Sequence, residues 1–206
     1  MIAMQSMQDN QYDIAIVDPP YGVTKGMIGG IDKIVQNNAK QDIYTKKDWN
    51  IAPPDEYFIE LQRVSKHQII WGGNYFPVLW REPARGFIVW DKRTIGKLHA
   101  DCELAWTSYD RNARIFNYRW SGAHTEVGLC EGRIHPTEKP AALYRWIFDQ
   151  FVDKTDKILD THLGSGSIAV AAHDMGISLD AYEIDKEYYE NAKARLEEHQ
   201  RQIRLF

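Results

Sequence analysis

The chain has 206 residues, enough for one well-buried domain, and its 44% hydrophobic and 26% charged residues are typical of a folded soluble protein. No apolar stretch approaches the roughly 20 residues that a membrane span needs, and the N-terminal segment MIAMQSMQDN lacks the features of a signal peptide. We therefore expect a cytoplasmic protein without a membrane partner. The net charge of −4 does not favour nucleic acid binding, and the two distant cysteines match neither a metal site nor a redox motif.

Short runs rich in β-branched and aromatic residues alternate with amphipathic stretches along the chain, a pattern typical of an α/β sheet. Thr137 and Asp185 are the predicted N-caps of the second and last helices, and Pro140 is expected in the first turn of the second. The predicted strands are 12–17, 67–71, 86–90, 103–107, 114–118, 156–160 and 179–184, and the predicted helices are 55–65, 138–152, 166–175 and 186–200.

Residues 22–54 are the main irregular stretch, with GMIGG, QNNAKQ and APP along it. A loop of this length inside a compact domain is usually functional or disordered. We therefore predict a single domain over residues 1–206 that carries one long flexible loop.

The first strand ends in the segment VDPPYG, residues 17–22. Two successive prolines fix two φ angles, remove two backbone donors and push the preceding residues toward an extended conformation. The segment is thus a stiff shelf with a carboxylate, Asp18, and an aromatic ring, Tyr21. By shape alone, an ordinary turn after a strand explains it equally well.

A second motif, KILDTHLGSGSIAVAAHDMG, predicts a strand, a glycine-rich turn and the start of a helix. Gly164 and Gly166 allow a ligand to approach the backbone, and the following helix N-terminus favours a negative group. Glu183, at the end of the next predicted strand, is placed to accept hydrogen bonds from ribose hydroxyls. This layout suits any adenosine-containing cofactor, and GSGSIA also fits a nicotinamide fingerprint loosely.

Three motifs together are more informative: DPPY at 18–21, HPTEKP at 135–140 and DTHLGSGS at 160–167. In this order they resemble the amino-methyltransferases of nucleic-acid bases, in the permuted class called β, and are similar in detail to small DNA adenine methyltransferases of phages and prophages. Further similar segments are RVSKHQIIWGGNYF at 63–76, FIVWDK at 87–92 and ELAWTS at 103–108. A nicotinamide enzyme would leave DPPY and HPTEKP unexplained.

The resemblance implies a circularly permuted, Rossmann-like methyltransferase fold, with a mostly parallel mixed sheet and helices on both faces. It implies that Asp18 and the Pro19 carbonyl accept the two N–H hydrogens of the target amine, that Pro20 holds this geometry, and that Tyr21 stacks on a base flipped out of the duplex. Extruding a base costs a few kcal/mol, whereas stacking returns roughly 1–3 kcal/mol. Affinity must then come largely from phosphate contacts.

The cofactor implied by the resemblance is S-adenosylmethionine, without a metal. The glycine turn would surround its methionine part and Glu183 would bind its ribose, while the HPTEKP motif would lie beside the same pocket. The expected cofactor-binding residues are Asp160, Thr161, Gly164, Ser165, Gly166, Ser167, Glu183, His135, Thr137 and Lys139.

The chain departs from the family pattern in two places. Thr161-His162 stands where relatives commonly have Pro-Phe, which alters the pocket wall. Relatives also begin with a strand and an acidic residue before the helix that precedes the DPPY strand, so we hypothesise that the chain as given lacks this first edge strand and binds the cofactor adenine more weakly.

The expected partner is double-stranded DNA, and a homodimer is a candidate assembly because dimers are familiar in this class. The family places target recognition between the ELAWT strand and HPTEKP, here residues 108–134, a short segment that suggests a brief target sequence. The candidate DNA contacts are Lys25, Arg93, Arg111, Arg114 and Arg119. The alternatives are cytosine N4 methylation, RNA as the substrate, or a catalytically weak DNA-binding module.

Overall fold

The computed structural model describes residues 2–22, 51–96, 100–120, 124–125, 128–129 and 138–202. Its helices are α1 (Ile2–Gln5), α2 (Asp55–Val64), α3 (Ala141–Phe151), α4 (Ser167–Met175) and α5 (Lys186–Arg201). Its strands are β1 (Tyr12–Val17), β2 (Ser65–Trp71), β3 (Phe87–Asp91), β4 (Cys102–Thr107), β5 (Arg114–Asn117), β6 (His124–Thr125), β7 (Gly128–Leu129), β8 (Lys157–Asp160) and β9 (Ser178–Ala181).

Seven strands form one mixed sheet in the order β5-β3-β4-β2-β1-β8-β9, and β6 pairs with β7 in a separate hairpin. Strands β1, β2, β8 and β9 are parallel neighbours, and β3 is parallel to β5. Only β4 runs the opposite way within the seven-stranded sheet, between β2 and β3. The mostly parallel mixed sheet is therefore confirmed.

The strands begin and finish at two opposite ends of the sheet, and we use the word edge for these ends, not for the outermost strands β5 and β9. We call the edge where β1, β2, β3, β5, β8 and β9 end the carboxyl edge; because β4 is antiparallel, its first residues also lie there. The opposite edge, where those six strands begin and β4 ends, is the amino edge. In open parallel sheets, ligands bind outside the carboxyl ends of the strands.

Helices cover both faces of the sheet, as the fold prediction requires. Successive strand residues point to opposite faces. On β1, Ile14 and Ile16 pack with residues of α3 and α4, while Ala15 and Val17 pack with residues of α2. Both faces are thus buried, which explains the near-continuous apolar run of β1. None of the helices in the described part of the chain is both long and apolar enough to cross a membrane.

Two predicted boundaries are wrong by a few residues. Helix α3 begins at Ala141, and Pro140 is its N-cap in an extended conformation (φ −69°, ψ 142°), not a residue of its first turn. Strand β9 ends at Ala181, before Glu183, whose carboxylate accepts hydrogen bonds from two loop amides. Asp185 is confirmed as the N-cap of α5, since it accepts from Glu187 N and Tyr188 N. Because Pro140 is the N-cap of α3, the prediction that Thr137 caps this helix is wrong. Thr137 itself and residues 23–50 of the predicted loop lie outside the described residues.

Candidate active site

The DPPY segment leaves β1 at the carboxyl edge, and its aromatic ring is held in place. The Tyr21 hydroxyl donates to Asp18 Oδ1 over 2.8 Å. Beyond β2, Gly72 adopts φ +64°, and a Cβ at that position would lie 2.1 Å from Tyr21 Cε1. Gly72 is therefore needed for the tyrosine to lie where it does.

Lys139 joins Asp18 to the other half of the sheet. Its ammonium donates to Asp18 Oδ2, lies 3.5 Å from the Tyr21 hydroxyl and is 3.3 Å from Glu103 Oε2 on β4. The lysine side chain is only 3% exposed and lies 5.3 Å from the centre of the Trp71 ring. An ammonium in such a place needs its negative partners, because an unpaired buried charge is costly.

Lys139 and its carboxylate neighbours stabilise one another in their charged forms. Burial alone would lower the pKa of Lys139, but Asp18 and Glu103 hold it above its ordinary value. Burial alone would raise the pKa of Glu103, but Lys139 and Lys92 lower it overall. Burial and the nearby Asp18 raise the pKa of Tyr21 well above its usual value, so the phenol remains a donor at neutral pH.

A second tyrosine lies against the first. The rings of Tyr75 and Tyr21 are stacked, with centroids 4.9 Å apart and an interplanar angle of 17°. Tyr75 is 46% exposed, whereas Phe76 packs edge-on to Tyr21 from the core. The carboxyl edge therefore presents an aromatic stack with a solvent-facing member.

The glycine turn lies at the end of β8 and leads into α4. Gly164 and Gly166 have φ values of +54° and +76°, which other residues adopt rarely. The Gly164 amide donates to Glu183 Oε2 over 2.9 Å, and the Asp185 amide donates to Oε1 over 3.0 Å. These bonds hold the Glu183 carboxylate beside the turn, and Ile184 next to it is fully exposed.

Two side chains at the start of this turn, those of Asp160 and His162, have strongly shifted pKa values. Burial raises the pKa of Asp160 to about 8, against the opposing effect of the hydrogen bond from the His162 amide. The surrounding protein removes water from the His162 ring and lowers its pKa to about 4. Burial therefore favours the uncharged form of both side chains.

Thr161-His162, the departure from the family pattern, forms a small polar cluster with α2. The Tyr57 hydroxyl is 2.7 Å from Thr161 Oγ1 and 3.4 Å from His162 Nδ1, and the last two atoms are 3.0 Å apart. Burial raises the pKa of Tyr57 above its ordinary value. The hydroxyls of Tyr57 and Thr161 are hydrogen-bonding partners for each other and for the His162 ring nitrogen. A Pro-Phe pair would have no such polar side-chain atoms.

The described end of HPTEKP faces both motifs. Glu138 pairs with Arg195 of α5 over 2.9 Å, and the same guanidinium donates to the Ser165 carbonyl and to Ser167 Oγ. Its neighbour Lys139 binds Asp18. The segment therefore ties the glycine turn to the DPPY shelf. His135 and Thr137 lie outside the described residues.

The predicted DNA contacts separate into two groups. Arg93 and Arg119 follow the ends of β3 and β5, at the carboxyl edge, and both are exposed. Arg114 begins β5 at the amino edge, and Arg111 lies there too, donating to the Gln150 carbonyl near the end of α3. Lys25 lies outside the described residues.

Sequence reasoning missed three side chains of this site: Glu103, Lys92 and Tyr75. Charged residues in or beside the otherwise apolar FIVWDK and ELAWTS runs were a usable signal for the first two, because burying a charge requires a partner. Tyr75 belongs to WGGNYF, one of the segments that resemble the family. No group of three His, Cys, Asp or Glu side chains among the described residues could hold a metal ion.

A sequence model of the DNA methylase family N6_N4_Mtase matches residues 43–194. The chain belongs to this family. It is 33% identical over 78 residues to the type II methyltransferase M.HpaI of Haemophilus parainfluenzae, but this match covers 38% of the chain and a quarter of M.HpaI. The type II methyltransferase M2.DpnII of Streptococcus pneumoniae is 25% identical over 94% of the chain and 85% of its own length.

Solved structures agree with this DNA methylase fold at low sequence identity. The M1.HpyAVI complex with S-adenosylmethionine superposes with a TM-score of 0.56 and 20% identity, covering 95% of this chain and 92% of that one. The cytosine-N4-specific PvuII DNA methyltransferase gives a TM-score of 0.59 and 14% identity, covering 93% and 82%. The Rossmann-like methyltransferase architecture is therefore confirmed.

Proposed function

We propose that the protein transfers a methyl group from S-adenosylmethionine to the exocyclic N6 of an adenine flipped out of double-stranded DNA. The observation that carries this proposal is the Asp18 carboxylate, which lies at the carboxyl edge with each oxygen fixed by one donor, Tyr21 or Lys139. An ionised carboxylate has about four lone-pair sites. Both oxygens thus keep capacity for an amine.

Asp18 and the Pro19 carbonyl would orient that amine. An exocyclic amine is a poor nucleophile because its lone pair is delocalised into the ring, and acceptors for its two N–H groups localise the pair on nitrogen. Catalysis by such fixed acceptors is orientation and electrostatic stabilisation. The flipped base would stack on the Tyr21 and Tyr75 pair, whose solvent-facing member is Tyr75.

The residues of the glycine turn fit the cofactor. Positive φ at Gly164 and Gly166 forms the tight turn, and Gly166 also lets the turn pack on Ala192 of α5, 3.0 Å from where a Cβ would lie. The fixed Glu183 carboxylate suits two ribose hydroxyls, and the exposed Ile184 offers apolar surface for adenine. Asp160, Thr161, Ser165 and Ser167 would surround the methionine part, with His135, Thr137 and Lys139 beside it. When bound, S-adenosylmethionine supplies an already activated methyl group.

DNA would approach the carboxyl edge, where the target amine must reach Asp18. Arg93 and Arg119 lie at this edge and are our first candidates for phosphate contacts. Arg111 and Arg114 would contact DNA only if the duplex reached around to the amino edge.

Cytosine N4 methylation is the second candidate, because the family covers both reactions and the PvuII enzyme, which shares the fold, is cytosine-N4-specific. An acidic residue at position 18 favours adenine. A protein that binds DNA but transfers no methyl group would keep the fold and fail a cofactor titration.

The deciding experiment incubates the purified chain with S-adenosylmethionine and unmethylated duplex DNA, followed by digestion to nucleosides and mass spectrometry. We expect N6-methyladenine with the wild-type chain and none with Asp18→Ala. N4-methylcytosine would establish the second candidate. An absence of both, combined with DNA binding but no binding of S-adenosylmethionine, would leave the binding module.

A further inference from the structure

Four charged side chains from four separate segments form one continuous chain of contacts at the carboxyl edge. Lys92 follows β3 and pairs with Glu103 Oε1, Glu103 Oε2 is 3.3 Å from Lys139, and Lys139 pairs with Asp18. The side chains of Lys92, Glu103 and Lys139 are 15%, 25% and 3% exposed. Two ammonium groups are thus balanced by two carboxylates.

The balance determines how much of the Lys139 charge acts on Asp18. Lys139 Nζ contacts both carboxylates, and Glu103 is itself fixed by Lys92. With Glu103 neutral, the two ammonium groups would face a single carboxylate, and Lys139 would pair with Asp18 alone. Charges inside a protein are screened less than those at its surface, so the loss of the Glu103 charge would strengthen the interaction of Lys139 with Asp18.

The proposed reaction needs Asp18 to remain a strong acceptor. In the transfer, the lone pair of the base nitrogen forms a bond to the methyl carbon, while the carbon–sulfur bond breaks and its electron pair stays on sulfur. The nitrogen gains positive charge, which it loses when one N–H proton passes to Asp18 and then to solvent. An Asp18 fully neutralised by Lys139 would stabilise this charge less well.

We propose that Glu103 is a positioning residue for this reaction, which holds Lys139 between two carboxylates so that Asp18 is oriented but not fully neutralised. The proposal rests on the methyl transfer proposed above. Glu103 acts through Lys139, whose ammonium contacts both carboxylates. Lys92 assists by keeping Glu103 ionised and pointed at the ammonium.

The test compares Glu103→Gln, Glu103→Asp and the matched control Glu197→Gln, whose side chain pairs with Arg201 on the exposed face of α5. We expect Glu103→Gln to lower kcat by about tenfold to a hundredfold, the range that a misplaced group costs. KM for DNA and Kd for S-adenosylmethionine should change by less than kcat. Glu103→Asp should recover part of the loss, because it keeps the charge, and Glu197→Gln should match the wild type.

Three results would overturn the role of Glu103: an unchanged kcat in Glu103→Gln, equal losses in the Gln and Asp variants, or a loss confined to KM. A thermal unfolding curve of each variant separates catalysis from folding, and a loss of activity matched by loss of folded protein also counts against the proposal. If the wild-type chain itself methylates no base, the proposed function fails instead, and the variants are not needed to show it.

Discussion

The two edges of the central sheet both carry ion pairs, but of different kinds. At the amino edge, Lys66 pairs with Asp13 and Arg85 with Asp110, and these side chains are 30–88% exposed. At the carboxyl edge, the ammonium of Lys139 is shared by Asp18 and Glu103 with 3% of its side chain exposed. Exposed pairs contribute little to stability, whereas a buried charge depends on its partners. Burial, not the presence of an ion pair, marks the candidate active site.

The strongest test of this contrast replaces the lysine at each edge. Lys139→Met should lower the free energy of unfolding by about 3 kcal/mol, because it leaves Asp18 without its cation and Glu103 with Lys92 alone. It should also lower kcat by about a hundredfold or more, since Asp18 loses the donor that orients it. Denaturant unfolding and the methylation assay measure the two effects.

Lys66→Met is the control for this prediction. Its ammonium is exposed and bonds to Asp13 over 2.7 Å at the amino edge, so we expect little change in stability or turnover. If the two lysine variants lost equal stability, or if Lys139→Met methylated DNA normally, the distinction between the edges would be wrong.

The aromatic stack gives the next largest expected effect. Tyr75→Ala should weaken binding of the flipped base by about 1–3 kcal/mol, the usual contribution of stacking on one aromatic ring. Tyr75→Phe should retain most of the binding, because the ring and not the hydroxyl makes the contact. The measurement is KM and Kd for duplex DNA.

Tyr189→Ala provides a matched control, since Tyr189 on α5 is 42% exposed, close to the 46% of Tyr75. It should bind DNA as the wild type does. Equal effects at the two positions would mean that exposure of an aromatic side chain, and not its place beside Tyr21, determines the result.

Asp160 at the carboxyl edge and Asp13 at the amino edge should affect the pH dependence of the free energy of unfolding differently. Burial raises the pKa of Asp160 to about 8, while the hydrogen bond from Lys66 lowers the pKa of Asp13. The stability that comes with protonated Asp160 is fully present below its unfolded pKa and is lost as pH rises through about 8. His162, whose pKa is lowered to about 4, contributes stability that is lost only as pH falls below about 6.5.

Between pH 6.5 and 8, Asp160 should therefore lower the free energy of unfolding by up to about 1.4 kcal/mol per pH unit. The stability of Asp160→Asn should be flatter over this window, and that of Asp13→Asn should follow the wild type, because Asp13 stays ionised throughout. Chemical unfolding at several pH values gives the three curves. A slope that survives in Asp160→Asn would assign the titration to another group.

The sequence allowed much of the fold to be predicted because local and global signals agreed. The apolar run of β1, the glycine turn after β8 and the N-cap Asp185 each carry a physical signal in a few consecutive residues. The contact of Lys139 with Asp18 joins residues 121 positions apart. Only strand order brings them together, so sequence spacing could not show it.

Glu103 was missed for the same reason. Its position at the carboxyl edge depends on β4 running antiparallel to β2, and no residue of ELAWTS signals the direction of the strand. Tyr75 required the turn at Gly72, with its positive φ, to place its ring on Tyr21. Motif resemblance predicted which residues form the candidate site, whereas the contacts of Asp18 and Tyr21 depend on the topology of the sheet.

The smallest expected effect compares two exposed arginines at the two ends of β5. Arg119 lies just beyond the end of the strand at the carboxyl edge and Arg114 at its start, so the same strand supplies both the variant and its control. If DNA approaches the carboxyl edge, Arg119→Ala should weaken binding of mixed-sequence duplex DNA and reduce the slope of log Kd against log salt by about one. Arg114→Ala should change neither, because a duplex seated over Asp18 meets the opposite end of the strand. Salt titrations of the two variants measure the difference. An equal loss in both would show that the duplex also follows the amino edge, and would support the prediction from sequence that Arg114 contacts DNA.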